Sequence, residues 1–341
     1  MARPDLTTRF LGLDPKSPAG RFLGAAERAI IDNPTVFTAG ILLLLWLILS
    51  QLSPYFFTVR NLFEITVQAA VIALIAVGQT FVILSKGIDL SVGAILAASA
   101  VTSTMVMDAG YGLAAGVIAG IVVGAFFGAA NGVAVGYMRI PPFVATLGMM
   151  GIARGYALII TEGIPIFRVA DGFEILGQGR IWGVVPVPTV ATLGLYAIGV
   201  FVLLRTRLGR YTVSIGSNEQ ATKFSGVNIP LYLILIYGLS GVTAGIAGLT
   251  EASRIGSGQP AGGVGYELDS IAAVVIGGTS LFGGQGSLIA SLIGALIIAT
   301  LRNGLNVLGV YAFWQLVAIG AILIGAVYID NWRRLRRGGE E

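Results

Sequence analysis

One pattern runs through the chain from about residue 36 to residue 330. A block of roughly 20 apolar residues meets a short polar or glycine-rich break, and another block follows. The first block, VFTAGILLLLWLILSQL, contains no charge at all. Such lengths match the hydrocarbon thickness of a bilayer, where only helices and closed barrels satisfy their backbone polar groups. Charged residues make up 11% of the 341, against about 25% in a soluble domain. A barrel needs alternating segments of roughly ten residues, and the blocks here are continuous. The expected fold is therefore all-α, a polytopic helical bundle in the membrane. The 49 glycines suit close helix contact in lipid, where small residues let backbones touch.

Ten blocks qualify as spans: 36–52, 62–84, 90–107, 112–136, 143–161, 187–204, 231–252, 267–282, 286–304 and 312–330. The eighth is short, and the pairs meeting at Lys86 and at Gly283–Gly286 are barely separated, so eight spans plus re-entrant pieces is the alternative. Cytoplasmic segments of membrane proteins carry excess Lys and Arg. With the N-terminus inside, the inner segments hold 15 of the 21 basic residues. The outer ones hold 4: Arg60, Arg168, Arg180 and Arg254. Both termini are thus expected in the cytoplasm. Residues 1–35 read as a cytoplasmic arm with no signal-peptide core, carrying a short interfacial helix over 18–32. Residues 36–330 form the membrane domain, and 331–341 a basic then acidic tail. VILSKGIDLSVGAI and VVIGGTSLFGGQGSLI share a glycine-rich break between apolar runs, which hints at duplicated halves.

The longest inner loop is RTRLGRYTVSIGSNEQATKFSGVNIP, residues 205–230. Ser217-Asn218-Glu219-Gln220 fits a capping box with Ser217 at the cap. Gly226 is placed to end the helix, and Pro230 to prevent its restart. One short helix over about 218–225 is expected, with Ala221 and Phe224 on a shared face. It is either a surface loop without a task or a helix that docks into a cytoplasmic partner.

GIDLSVG (87–93), PPFVATLGMMGIARG (141–155), TRLGRYTVSIGSNEQATKFSGV (206–227) and QPAGGVGYELDSIAAVVIGGTSLFGG (259–284) occur in that order. Together they resemble the permease subunit of sugar-importing ATP-binding-cassette (ABC) transporters, in the ribose-type branch that also serves xylose, galactose and small polyols. The resemblance covers about residues 50–330. It implies a homodimer in the bacterial inner membrane, a cytoplasmic ABC ATPase that binds ATP and Mg, and an external sugar-binding protein. It also implies that Glu219, Gln220, Ala221, Ser225 and Gly226 belong to the ATPase-coupling helix; Gln220 departs from the usual alanine. No G-x-x-x-x-G-K-[ST] loop occurs in the chain, so the ATP chemistry is expected on the partner and no cofactor on this chain.

Charges at membrane depth are costly, about 2.5–3.5 kcal/mol on insertion scales. Asp89, preceding an apolar run and followed by Ser91, has the chemistry of an N-cap for the third span. Lys86 either pairs with it or reaches the inner interface. The other reading is that this break lines the sugar path or its inner gate. Glu162 and Arg254 lie at outer span ends, where they pair locally or meet a binding-protein lobe. Glu267 and Asp269 open a short span. Arg302, with Asn303 and Asn306, marks an outer helix end or the pore lining. For a sugar route the neutral polar residues Gln79, Asn131, Thr146, Asn303 and Gln315 supply hydrogen-bonding groups, and Phe81 and Phe143 supply aromatic faces. Interhelical hydrogen bonding is the plainer role for each.

With no cysteine and no histidine, thiolate chemistry and the commonest metal ligand are excluded. No metal site or intramembrane enzyme suggests itself, and nothing points to nucleic acid. The competing function is a proton- or Na⁺-coupled secondary transporter in which an intramembrane carboxylate such as Asp89 carries the ion.

Overall fold

A computed structural model describes residues 14, 17, 19, 21 and 34–337. The interfacial helix expected over 18–32 lies almost wholly outside the described residues, as does the end of the tail. The first helices are α1 (Pro34–Leu52), α2 (Val59–Leu84), α3 (Val92–Asp108), α4 (Gly112–Gly136) and α5 (Pro142–Thr161). A turn of helix α6 (Ile175–Gln178) and a two-stranded hairpin, β1 (Arg180–Ile181) with β2 (Val185–Pro186), lead into α7 (Val187–Arg205). Then come α8 (Arg207–Ser217), α9 (Glu219–Phe224), α10 (Ile229–Ile255), α11 (Tyr266–Ile276), α12 (Leu288–Val307) and α13 (Ala312–Arg337). Among the described residues seven helices, α1, α2, α4, α5, α7, α10 and α12, are long and apolar enough to cross a membrane. Helix α3 and the Ala312–Tyr328 part of α13 are shorter apolar helices.

Local chemistry sets the boundaries. Thr58 caps α2 by accepting the Asn61 amide. Prolines occupy the first turn of α5, α7 and α10, where no N–H is required. Pro230 therefore lies inside the start of α10 instead of preventing a helix there, which corrects the expectation above. Gly256, at φ +74°, ends α10 in the left-handed conformation.

The centre of the bundle is α2, whose residues Ala69–Leu84 are all buried. The closest helix pair is α4 against α10, running antiparallel. Gly112, Gly116, Gly120, Gly124, Gly128, Gly132 and Gly136 recur every four residues along α4. A Cβ on Gly124, Gly128 or Gly132 would collide with the α10 backbone at Gly241, Tyr237 or Ile234. The two backbones touch, as the glycine content led us to expect.

At two places the chain breaks between helices inside the bundle. After α2 the chain turns back inward through 85–91 before α3 begins. After α10 it re-enters through 256–265, with Gly258 against Val101 and Thr104 and Gly263 against Gly93 and Leu96. At 11 residues, α11 is roughly 16 Å long, about half a bilayer.

The two breaks are counterparts. The contacts α4–α10, α3–α5 and α3–α10 recur as α12–α2, α11–α13 and α11–α2. Helices α2–α5 and α10–α13 therefore form repeats of opposite direction. GIDLSVGA (87–94) matches GYELDSIA (265–272), and Asn131-Gly132 matches Asn303-Gly304. Duplication was legible, but its partner segment was not: the break at Lys86 corresponds to 256–265, not to the glycine run at 277–286.

Candidate functional site

Two regions gather part of the polar groups singled out above, and one seam joins them. In the first, Thr206 caps α8 through the Gly209 amide, and α8 is an amphipathic helix that the sequence reading left as loop. Ser217 is its last residue and donates back to the Val213 carbonyl at 2.9 Å. The cap of α9 is therefore Asn218, not Ser217; its Oδ1 accepts the Ala221 amide at 2.9 Å. Glu219 in the first turn and Lys223 in the last both complement the helix dipole. Ser225 follows α9 and donates to the Ala221 carbonyl; Gly226, at φ +80°, terminates it as expected. Gln220 and Ala221 are exposed, and Phe224 is 88% exposed. A capped helix thus presents a bare aromatic ring at one end of the bundle.

The second region is the break at 85–91. Asp89 is fully buried. Its Oδ1 accepts the Ser91 hydroxyl at 2.6 Å and the Ser91 amide at 3.0 Å. Its Oδ2 accepts the Ser240 hydroxyl of α10 at 2.9 Å. Asn131 of α4 donates to Ser91 Oγ at 2.8 Å, and the Thr146 hydroxyl of α5 lies between the Ile88 carbonyl at 3.1 Å and the Pro142 carbonyl of its own helix at 2.9 Å. The residue preceding α3 is Ser91, which makes no side-chain cap. Asp89 is thus not the N-cap but a bracket tying the bend to α10 and, through Ser91, to α4. Lys86 forms no ion pair with it; Lys86 is exposed, at φ +70°.

The seam is built of glycines. The Gly284 amide donates to the Leu84 carbonyl at 2.9 Å, and a Cβ on Gly216 of α8 would strike both groups. Helix α8 is therefore seated on the end of α2, five residues before Asp89.

The remaining candidates scatter. Gln79 is fully buried in α2, and neither of its amide atoms has a partner. Phe81 is fully buried in the apolar core, whereas Phe143 is 56% exposed at the start of α5. Asn303 exchanges two amide hydrogen bonds with Asn61, and Gln315 donates to Asn306 at 2.7 Å. Glu162 follows α5 at φ +52°. Arg254 makes two 2.9 Å bonds to Glu251. Asp89, Ser91, Asn131 and Thr146 meet; Asn303 and Gln315 lie on α12 and α13, apart from them.

Three partners were missed. Ser240 is one. Arg154 is another, donating to the Pro260 and Gly262 carbonyls at 2.7 and 2.6 Å and so pinning the second break. The third is the 2.6 Å ion pair from Arg302 to the buried Asp269. A cation inside an apolar helix must find such partners, which was the available signal.

Comparison with known proteins converges on the same description. Residues 61–327 match the family described as "Branched-chain amino acid transport system / permease component". The chain is 45% identical over 295 residues to the ribose import permease protein RbsC of Escherichia coli K12, covering 85% of this chain and 91% of that one. It is 44% identical to RbsC of Bacillus subtilis 168, covering 85% and 90%. The D-allose transport system permease protein AlsC of Escherichia coli K12 is 40% identical, with coverage of 85% and 90%. No solved structure gives a significant match. A match over 61–327, with relatives at this identity along most of their length, means that the chain belongs to this family of transport-system permease components.

Proposed function

We propose that the chain is the membrane-embedded permease of an ABC importer for a monosaccharide or related polyol, working as a homodimer of ten-pass subunits. The observation that carries this is its 40–45% identity to ribose and allose permeases over 85% of the chain. Similarity over 85% of the chain guides the substrate class more closely than the amino-acid title of a broad family. As a sugar permease of this kind it is a multi-pass protein of the bacterial inner membrane. Its energy comes from a partner ATPase carrying ATP and Mg, and its cargo from an external binding protein. Ten passes put both termini on one side of the membrane, in our reading the cytoplasmic side. The basic residues support that orientation: Lys86, Arg139, Arg205, Arg207, Arg210 and Lys223 gather at the end of the bundle where α8 and α9 lie.

In this reading α9 docks in the ATPase through Phe224 and carries its movement into the bundle. Helix α8 transmits it through the Gly216–Leu84 seat to the bend, and the Asp89 bracket holds one of two positions of α3 against α4 and α10. Loaded binding protein, meeting the Glu162 and Arg254 rim, and ATP turnover each favour one position. Gln79, Asn131, Thr146, Asn303 and Gln315 then serve a sugar route that binds weakly enough to release. Reconstitution in proteoliposomes tests the proposal. Uptake of a labelled sugar should require the ATPase, the binding protein and ATP together. Uptake by this chain alone, abolished by an uncoupler, would overturn it in favour of ion coupling.

A further inference from the structure

The same end of the bundle contains a cavity of about 600 Å³ that no transport role accounts for. Its walls are the bend at Ser85–Gly87, the α4–α5 turn at Arg139–Pro142, the start of α10, and the face of α9 bearing Glu219, Gln220 and Lys223. Phe224 is not on that wall, so the docking face of α9 and its cavity face are different. Three cations, Lys86, Arg139 and Lys223, line the cavity with a single carboxylate, Glu219. None of the three cations belongs to an ion pair among the described residues.

Two further features shape this cavity. Lys86 (φ +70°) and Arg139 (φ +55°) are two of the four non-glycine residues with positive φ among the described residues. At Lys86 this turn ends α2, with the Lys86 amide donating to the Ile83 carbonyl and the Gly87 amide to the Val82 carbonyl, both at 2.9 Å. The wall also includes Tyr237, which is fully buried and whose hydroxyl has no hydrogen-bond partner. Gly87 makes room for that hydroxyl, because a Cβ there would collide with it. The first turns of α5 and α10 open on the same space and add their partial positive charge.

We infer that this cavity binds a phosphate group, held by Lys86, Arg139 and Lys223 with the Tyr237 hydroxyl as a neutral donor. Phosphate fits an excess of cations with an added O–H donor. The apolar flank at Ile140, Pro141, Pro142 and Leu233 suits an organic ester. The ester is either the headgroup of an anionic lipid or a small soluble phosphate monoester. A ligand seated there bridges α9 to the bend; its influence on coupling, unlike its binding, rests on the function proposed above.

The test uses the full chain in nanodiscs. In one arm, native mass spectrometry counts phosphatidylglycerol retained from mixed phosphatidylglycerol and phosphatidylcholine discs. In the other, glycerol phosphate is titrated calorimetrically into pure phosphatidylcholine discs. Retention in the first arm identifies a lipid headgroup site, and heat in the second a soluble-ester site; either supports the inference. The double variant Lys86→Gln, Arg139→Gln should weaken the positive arm at least about tenfold. Tyr237→Phe, which keeps the ring, should weaken it a few-fold. No binding in either arm, or binding undiminished in the double variant, would overturn the inference. Since binding needs no transport, that failure would leave the permease assignment standing.

Discussion

Replacing Asp89 by leucine tests the bracket at the bend. The carboxylate accepts three hydrogen bonds, from the Ser91 hydroxyl, the Ser91 amide and the Ser240 hydroxyl, at 2.6, 3.0 and 2.9 Å. Leucine removes every acceptor while roughly preserving volume. Each buried donor left unpaired costs about 1–3 kcal/mol. The two hydroxyls can rotate toward backbone carbonyls, so the lower half of the range applies, about 3–6 kcal/mol in total. That is a large share of the roughly 5–15 kcal/mol by which folded domains are stable. Asp89→Asn behaves differently. Its Oδ1 still accepts both Ser91 groups, and its amide donates to a Ser240 hydroxyl able to accept, so the cost falls to about 1 kcal/mol. The assay is the thermal midpoint of detergent-solubilised protein by fluorescence-detected size exclusion, with sugar uptake measured in parallel. Leucine should give little assembled protein, and asparagine should retain both assembly and uptake. A leucine variant that melts with the native protein would refute the bracket. An asparagine variant that assembles but loses uptake would indicate a carboxylate carrying an ion.

Three other outcomes follow from the geometry. Phe224→Glu should leave thermal stability within about 0.5 kcal/mol, since the ring is 88% exposed. It should nevertheless abolish sugar-stimulated ATP hydrolysis in the assembled complex. Gly128→Leu should prevent assembly, because its side chain would enter the α10 backbone; Gly151→Ala, with no atom near its Cβ position, should assemble normally in the same expression assay. Arg302→Met should cost about 3–5 kcal/mol by stranding buried Asp269, with part of the loss in melting temperature recovered on adding Asp269→Asn.

What was legible in the sequence was local. The helices that begin at prolines fell within three residues of their expected limits, 143–161 against Pro142–Thr161, 187–204 against Val187–Arg205 and 231–252 against Ile229–Ile255, and Gly226 ends α9 as expected. Helix α8 falls within the stretch expected as the longest inner loop; its Gly209 and Gly216 each allow a close approach, to Leu203 and Leu84. The cap of α9 was misplaced by one residue because α8 absorbs Ser217, a competition invisible without knowing that α8 exists. The long-range partners were beyond reach. Ser240 lies 151 residues from Asp89, and an alternation of apolar blocks carries no record of which serine faces which carboxylate. The repeat was sensed at Lys86 but matched to the wrong glycine run. Its true counterpart replaces Asp89 and Ser91 with Glu267 and Asp269, keeping the backbone break and changing the side chains.

The glycine ridge of α4 also limits how this molecule changes shape. A contact made by backbone against backbone has no side chains to flex, and sliding one helix along the other would drive carbonyls into Cα atoms. Whatever state the transporter visits, α4 and α10 must travel together as a single keel. The motion that admits and releases solute is left to α3 and the shorter α11, the helices that follow the two breaks in the chain.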